Sequence, residues 1–318
     1  MNKVLKHLEN ELSSLNILYD KLDYLAGDAS NRKYFEVSKD KMVNILMLDS
    51  KEEKNIINFI NKTVFFQKLG INVPEIYKSY PENGILILEN FGKNKFSEII
   101  VKKNEEKLYK IAIDSLLFLH KKGASQELDS FDKYTLFQEV KLFFKWYLLF
   151  RGKKVKDKQI QSFKKSFLKF LDEPMKLPIV NIHRDFHVDN LFYLEKRLGI
   201  KKCGWIDYQD ALKGTIVYDL MSLVEDARRD INESMKKKLI SYYLSKTKNI
   251  NQEHFIFSLK IIAIQRHLKV LGIFSRLHIR DKKSSYLSHI PRVVQMLKSN
   301  LKSPVFRSLS KIINPLIE

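Results

Sequence analysis

The 318-residue sequence predicts an α+β chain in which a small strand-rich unit is followed by a mainly helical one. Three observations carry this. Between Leu22 and Ser50, short strand-like runs (KYFEV, MVNILML) are punctuated by the turn residues Gly27, Asp28 and Asn31. Beyond Gly92, apolar residues recur at helical spacing in KLYKIAIDSLLFLHKK and TLFQEVKLFFKWYLLF. A compact strand-rich insert, PIVNIHRDFHVDNLFYLEKRLGIKKCGWID, interrupts those helices.

In order along the chain, residues 1–14 read as an amphipathic helix, with Val4, Leu5, Leu8 and Leu12 on one face. The strands up to Ser50 follow. KEEKNIINFINKTVFFQKLG is a helix that stops at Gly70, a C-cap residue. Strands around EIYKS and GILILEN are joined by the turn PENG, Pro81 to Gly84. The division falls at Gly92, giving residues 1–92 and 93–318. Helical periodicity resumes at VYDLMSLVEDARRD and continues to the end, with no internal repeat or low-complexity linker.

Composition narrows the function classes. With 44% hydrophobic and 30% charged residues the chain reads as an ordinary soluble protein, and no run approaches 18 apolar residues. The N-terminal MNKVLKHLENELSSLN is charged throughout and lacks the apolar core of a signal peptide. The one cysteine, Cys203, cannot form an internal disulfide, which fits a reducing compartment; a cytoplasmic location is expected. A net charge of +20 favours anionic partners. The lysines are spread over putative helices (Lys141, Lys145, Lys164, Lys165, Lys169), so they read as a solvated surface. No nucleic-acid-binding signature is present, one cysteine excludes a Cys/His metal cluster, and neither nucleic acid nor membrane is expected as a partner.

The chemistry concentrates in HRDFHVDN, His183 to Asn190, bracketed by the apolar runs PIVNI and LFYL. Those runs read as buried strands, so the polar residues lie on a loop held by a sheet. CGWI is a third strand with Asp207 at its end, and a turn in EKRLGI pairs it with the second, bringing Asn190 near Asp207. A carboxylate and an amide oxygen are hard ligands suited to Mg²⁺. Asp185 is placed to accept the proton of an attacking hydroxyl. The spacing His-x-Asp-x-x-x-x-Asn, with Asp on the next strand, is the phosphoryl-transfer order of base, second metal ligand and first metal ligand. His183 reads as a structural histidine and Asp189 as a solvent-facing loop residue.

HRDFHVDN with IDYQD resembles the aminoglycoside phosphotransferase superfamily, small-molecule kinases with the bilobal protein-kinase-like fold. GDASNRKYFEV, ILILENFG, EVKLFFKWYL, WIDYQDALKGTIVYDLMSLVEDARRDI and IQRHLKVLGIFSRLHIRDKKSSYLSHIPRV narrow it. Together they are similar to bacterial N-acetylmuramate/N-acetylglucosamine kinases, which phosphorylate the anomeric hydroxyl in peptidoglycan recycling. The similarity runs from about Gly27 to Leu297, and IQRHLKVLGIF is its most discriminating part.

The resemblance implies a small antiparallel-sheet lobe, 1–92, that binds ATP, and a mainly helical lobe, 93–318, with the catalytic loop and acceptor site. It implies Asp185 as base, Asn190 and Asp207 as Mg²⁺ ligands, and Asp219 as a structural residue pinning the loop. Gly27 to Tyr34 would lie over the ATP phosphates, with Gly27, Asp28, Ser30 and Arg32 as contacts; glycine freedom and nearby amides agree with an anion site. Glu89, Asn90 and Phe91 would form the adenine hinge. One departure is visible: the strand NILML has Met47 and its neighbours where protein kinases have a phosphate-contacting lysine, so Arg32 or Lys33 is expected to supply that charge.

Sugar recognition calls for hydrogen-bonding groups beside an apolar platform. Glu139, Trp146 and Tyr147 on one helix, and Arg266 and His267 on another, are the candidates, with Glu139 and Trp146 on one face at a spacing of seven; an aromatic core stripe with an Arg–Glu structural pair reads the same letters equally well. Arg266 would face a sugar carboxylate if the acceptor carries one. Two alternatives remain open from sequence: another hydroxyl acceptor for the same chemistry, or a catalytically dead nucleotide- or nucleic-acid-binding protein.

Overall fold

The structure is a computed structural model that describes residues 2–27, 32–49 and 53–318. It divides into two compact units, Met1–Asn94 with Leu194–Gln209, and Lys95–Tyr193 with Asp210–Glu318. The return of Leu194–Gln209 to the first unit is a feature for which the linear reading made no provision.

In the first unit α1 (Asn2–Ser14) precedes the strands β1 (Lys21–Gly27), β2 (Arg32–Lys39) and β3 (Met42–Asp49). Helix α2 (Glu53–Lys68) and strands β4 (Ile76–Tyr80) and β5 (Ile85–Leu88) follow. The strands form one antiparallel sheet in the order β1-β2-β3-β5-β4. One face is covered by α1, whose Leu8 and Leu12 join Phe35, Val37, Leu46, Leu48, Ile85 and Ile87 in the core. The predicted PENG turn is a 3-10 turn at Pro81–Asn83 closed by Gly84 at φ 68°. Only glycine fits there, because a Cβ would lie 2.0 Å from the carbonyl oxygen of Asp49. Phe66 on α2 packs edge-on against Trp205 and Tyr208, so the returning segment completes this unit's core.

The second unit begins with α3 (Phe96–Ile99), α4 (Glu105–His120) and α5 (Lys133–Leu142). A π-helical stretch, Phe143–Tyr147, leads into α6 (Leu148–Phe150), and α7 (Asp157–Met175) follows. Strands β6 (Ile179–Ile182) and β7 (Leu191–Tyr193) bracket the His183–Asn190 loop. After β8 (Cys203–Trp205), which lies in the first unit, β9 (Leu212–Thr215) pairs antiparallel with β6. The remainder is α8 (Val217–Val224), α9 (Glu233–Ser245), α10 (Gln252–Ile279), α11 (Ile290–Leu301) and α12 (Arg307–Ile317).

Helix α10 is the axis of this unit. It is apolar around most of its circumference, as expected of a helix surrounded by others, and it packs on α5, the π stretch, α7, α8 and α11. Gly272 permits a close approach to α5, since a Cβ there would come within 2.3 Å of the Leu142 carbonyl carbon. Among the described residues no helix is long and apolar enough to cross a membrane.

Candidate active site

Between β6 and the 3-10 turn Val188–Asn190 the loop has no regular structure, so its backbone polar groups need partners from elsewhere. Asp219, fully buried on α8, accepts from the amides of His183 (2.6 Å) and Arg184 (3.0 Å). Arg266 Nη1 donates to the Arg184 carbonyl at 2.7 Å. The Asp185 amide donates to His183 Nδ1 at 3.3 Å, and the Asp185 carbonyl accepts from Asn190 Nδ2 at 2.9 Å. Arg184 adopts φ 76°, a left-handed conformation that this network maintains. Burial pushes the Asp219 carboxyl up to about 7, against the two amide hydrogen bonds that favour its ionised form.

The Asp185 side chain reaches solvent and is 37% exposed. Its Oδ1 pairs with Arg266 Nη2 at 3.1 Å. Desolvation acts to raise its pKa, but Arg266, Lys269, His187 and Arg184 outweigh that and hold the carboxyl well below its ordinary range. Asp185 is therefore a carboxylate at any physiological pH.

Beside it lies a charge cluster. Glu139 Oε1 receives Arg184 Nη2 (2.6 Å) and Lys269 Nζ (2.8 Å), and its Oε2 receives Gln265 Nε2 (3.1 Å). Burial acts to raise the Glu139 carboxyl; Lys269 and Arg184 reverse it and keep the group ionised. Arg184 also lies over the Phe131 ring, and Arg266 over Tyr218. Sequence reasoning did not single out Arg184, Gln265 or Lys269. The available signal was QRHLK in an otherwise apolar helix, because buried charged side chains come paired.

The other residues expected at the acceptor separate. Trp146 is half-buried under Lys145, and Tyr147 stacks on Phe143 in the core. The face expected to be shared by Trp146 and Glu139 assumed an unbroken α-helix; the π stretch Phe143–Tyr147 changes the angular spacing between them. His267, next to Arg266 on α10, points elsewhere. Its Nε2 lies 2.6 Å from Glu225 Oε2 in a buried group with Lys236 and Asn300.

Asn190 directs its amide nitrogen to the Asp185 carbonyl and towards His187 Nε2 (3.4 Å), so this nitrogen faces the protein. His187 is buried, and desolvation with Arg228 pushes its pKa well below the ordinary value, making it neutral. Asp189 is half-buried and 3.5 Å from Arg228 Nε.

In the first unit, Asp207 takes φ 63° and accepts from Gln209 Nε2 at 2.8 Å. Glu89 and Asn72 both bind Arg197, whose guanidinium also covers the Phe91 ring. Arg32 is buried, ion-paired with Asp49 at 3.1 Å and close to the Phe59 ring. Gly27 ends β1, while Asp28 and Ser30 lie outside the described residues. The Asn190 amide oxygen in the second unit and the Asp207 carboxylate in the first are each a hard donor of the type Mg²⁺ takes. Among the described residues no group of three or more His, Cys, Asp or Glu is gathered for a metal.

A five-stranded antiparallel sheet, a mainly helical unit and a carboxylate loop pinned at a strand end define a class: a small-molecule kinase of protein-kinase-like fold. The chain belongs to the phosphotransferase enzyme family, whose model matches residues 21–252. It is similar to the N-acetylmuramate/N-acetylglucosamine kinase of Neisseria meningitidis, 29% identical over 87% of this chain and 84% of that one. It is also similar to the enzyme of that name from Pseudomonas aeruginosa, 28% identical over 86% and 82%. Two solved structures share the fold. An ADP-bound aminoglycoside phosphotransferase has a TM-score of 0.60 at 16% identity, covering 94% of this chain and 98% of its own. The choline kinase of Streptococcus pneumoniae has 0.65 at 14%, covering 93% and 99%.

Proposed function

We propose that this kinase transfers the γ-phosphoryl group of ATP to the anomeric hydroxyl of N-acetylmuramic acid, N-acetylglucosamine or both, in the cytoplasm and in the service of peptidoglycan recycling. The observation that carries the reading is similarity along most of the chain to kinases named for those sugars. The loop geometry supports it. Asp185 is a fixed carboxylate, partly open to solvent, so the C1 hydroxyl can donate to it and be aimed at phosphorus. Because Arg266 lowers its basicity, Asp185 takes the proton late, as the C1–O–P bond forms and the bond from γ-phosphorus to the bridging oxygen breaks. Asn190 and Asp207 would hold Mg²⁺, which when bound neutralises charge on the phosphates. Arg266 and the Glu139–Lys269–Arg184 cluster are the acceptor-side groups, and Glu89 to Phe91 the adenine-side backbone.

The test is phosphorus NMR of purified protein with ATP, Mg²⁺ and each amino sugar. An acid-labile sugar 1-phosphate signal that is absent with Asp185→Asn is the expected result. Hydrolytically stable product, or ATP left intact with every amino sugar, sends the acceptor assignment to a different hydroxyl.

A further inference from the structure

We infer that Arg228 is a positioning residue that sets the orientation of the Asn190 side-chain amide by holding His187 in one tautomer; the inference rests on the reading of Asn190 as a metal ligand. An asparagine ligates a cation only through Oδ1, yet its side chain can be turned end for end with almost no change in shape. Something must specify which end faces out. Asn190 Nδ2 donates to the Asp185 carbonyl at 2.9 Å and lies 3.4 Å from His187 Nε2. Arg228 Nη1 lies 3.3 Å from that same Nε2. A guanidinium has no acceptor, and the Asn190 nitrogen is already a donor, so Nε2 must present its lone pair. The ring proton then sits on Nδ1, which is buried without a hydrogen-bond partner among the described residues.

Leaving a buried N–H unmatched is costly, so the isolated loop would not choose this tautomer. Arg228 supplies the bias, by offering Nε2 a charged donor. It also reaches Asp189 Oδ2 at 3.5 Å, and so holds both the Val188–Asn190 turn and the His187 that precedes it. Its own placement is secured from behind: the Arg228 amide donates to buried Asp226 Oδ1 at 2.9 Å, and the guanidinium lies 5.8 Å from the Phe274 ring centre. Turned end for end, Asn190 would set Oδ1 against both the Asp185 carbonyl and the Nε2 lone pair. The clamp excludes that rotamer.

Two measurements test this. Long-range ¹⁵N–¹H spectra of the metal-free protein, with His187 assigned by its disappearance in His187→Gln, should show the Nδ1–H tautomer; Nε2–H overturns the inference. Second, binding of a non-hydrolysable fluorescent ATP analogue is titrated with Mg²⁺ in variants shown by circular dichroism to be folded. Arg228→Met and His187→Leu should raise the Mg²⁺ midpoint roughly 10-fold or more, the usual effect of losing a partner that orients a ligand. His187→Gln, which keeps an acceptor near Nε2, should recover most of that loss. An unchanged midpoint in Arg228→Met, while Asn190→Ala shifts it, overturns the inference alone. An unchanged midpoint in Asn190→Ala removes the metal-ligand reading and the inference with it.

Discussion

At Asp185, one ion pair determines both charge and aim. Arg266 spans the Arg184 carbonyl and the Asp185 carboxylate with separate nitrogens, so it fixes backbone and side chain together. Asp185→Asn keeps the loop's backbone bonds but removes the proton acceptor. Turnover should fall by about 10² or more, roughly 3 kcal/mol of barrier, in a variant that still unfolds cooperatively. Near-normal kcat would remove Asp185 from the base role. Arg266→Lys keeps the charge and loses the two-pronged reach, which a point-charge ammonium cannot reproduce. A fall in kcat of about 10² with ATP binding retained is the expected outcome, of the size that about 1 Å of misplacement produces. A variant of normal kcat would show that charge alone suffices. The motif residues Asp185 and Asn190 were legible because their short spacing encodes a local turn. Glu139 and His267 were visible as polar letters, but their partners are 45 and 42 residues away, at Arg184 and Glu225, where no spacing rule reaches.

Elements of the helical unit are tied by a single carboxylate. Glu225, at the end of α8, accepts from Lys236 on α9 and Asn300 on α11 and pairs with His267 on α10. Burial works to raise its pKa, but the His267 hydrogen bond, with Lys236, lowers it to about 2 from an ordinary 4.5. A depressed carboxyl contributes stability above its unfolded pKa and loses it as pH falls towards the folded one. Wild type should therefore exceed Glu225→Gln in stability at pH 7, and the gap should narrow by on the order of 1.4 kcal/mol at pH 3.5. Urea unfolding at the two pH values measures it; a gap independent of pH would contradict the pairing. At this scale strands β2 to β5 and helices α1, α2, α4 and α5 were readable from periodicity, whereas β1 and α7 were not singled out. Strand β9 was not, because LKGT is too short to show alternation and takes its conformation from pairing with β6. The π stretch was also hidden. It arises where α10 presses on Leu142 at Gly272, a contact between residues 130 apart in sequence.

At the scale of the whole molecule, strand periodicity gives way to helical periodicity near Gly92. Nothing in a linear pattern marks Leu194–Gln209 as belonging to an earlier core. That return has an energetic consequence. Trp205 and Tyr208 are fully buried, Tyr208 meets both Phe59 and Phe66 and bonds the Thr63 hydroxyl at 2.8 Å, and the Trp205 amide bonds the Asn72 carbonyl at 2.8 Å. Removing a buried aromatic side chain costs roughly 3–5 kcal/mol, and a domain of this size has only about 5–15 kcal/mol in total. Residues 1–94 alone lose both rings and the polar bonds, so the sheet unit cannot stand as an independent fold despite containing all five strands of its sheet. Expressed alone, the fragment should show no cooperative thermal transition by circular dichroism, whereas the full chain should. A fragment that melted cooperatively near the full-length temperature would mean that α1 and the sheet supply a sufficient core, and that Trp205 and Tyr208 only cover it.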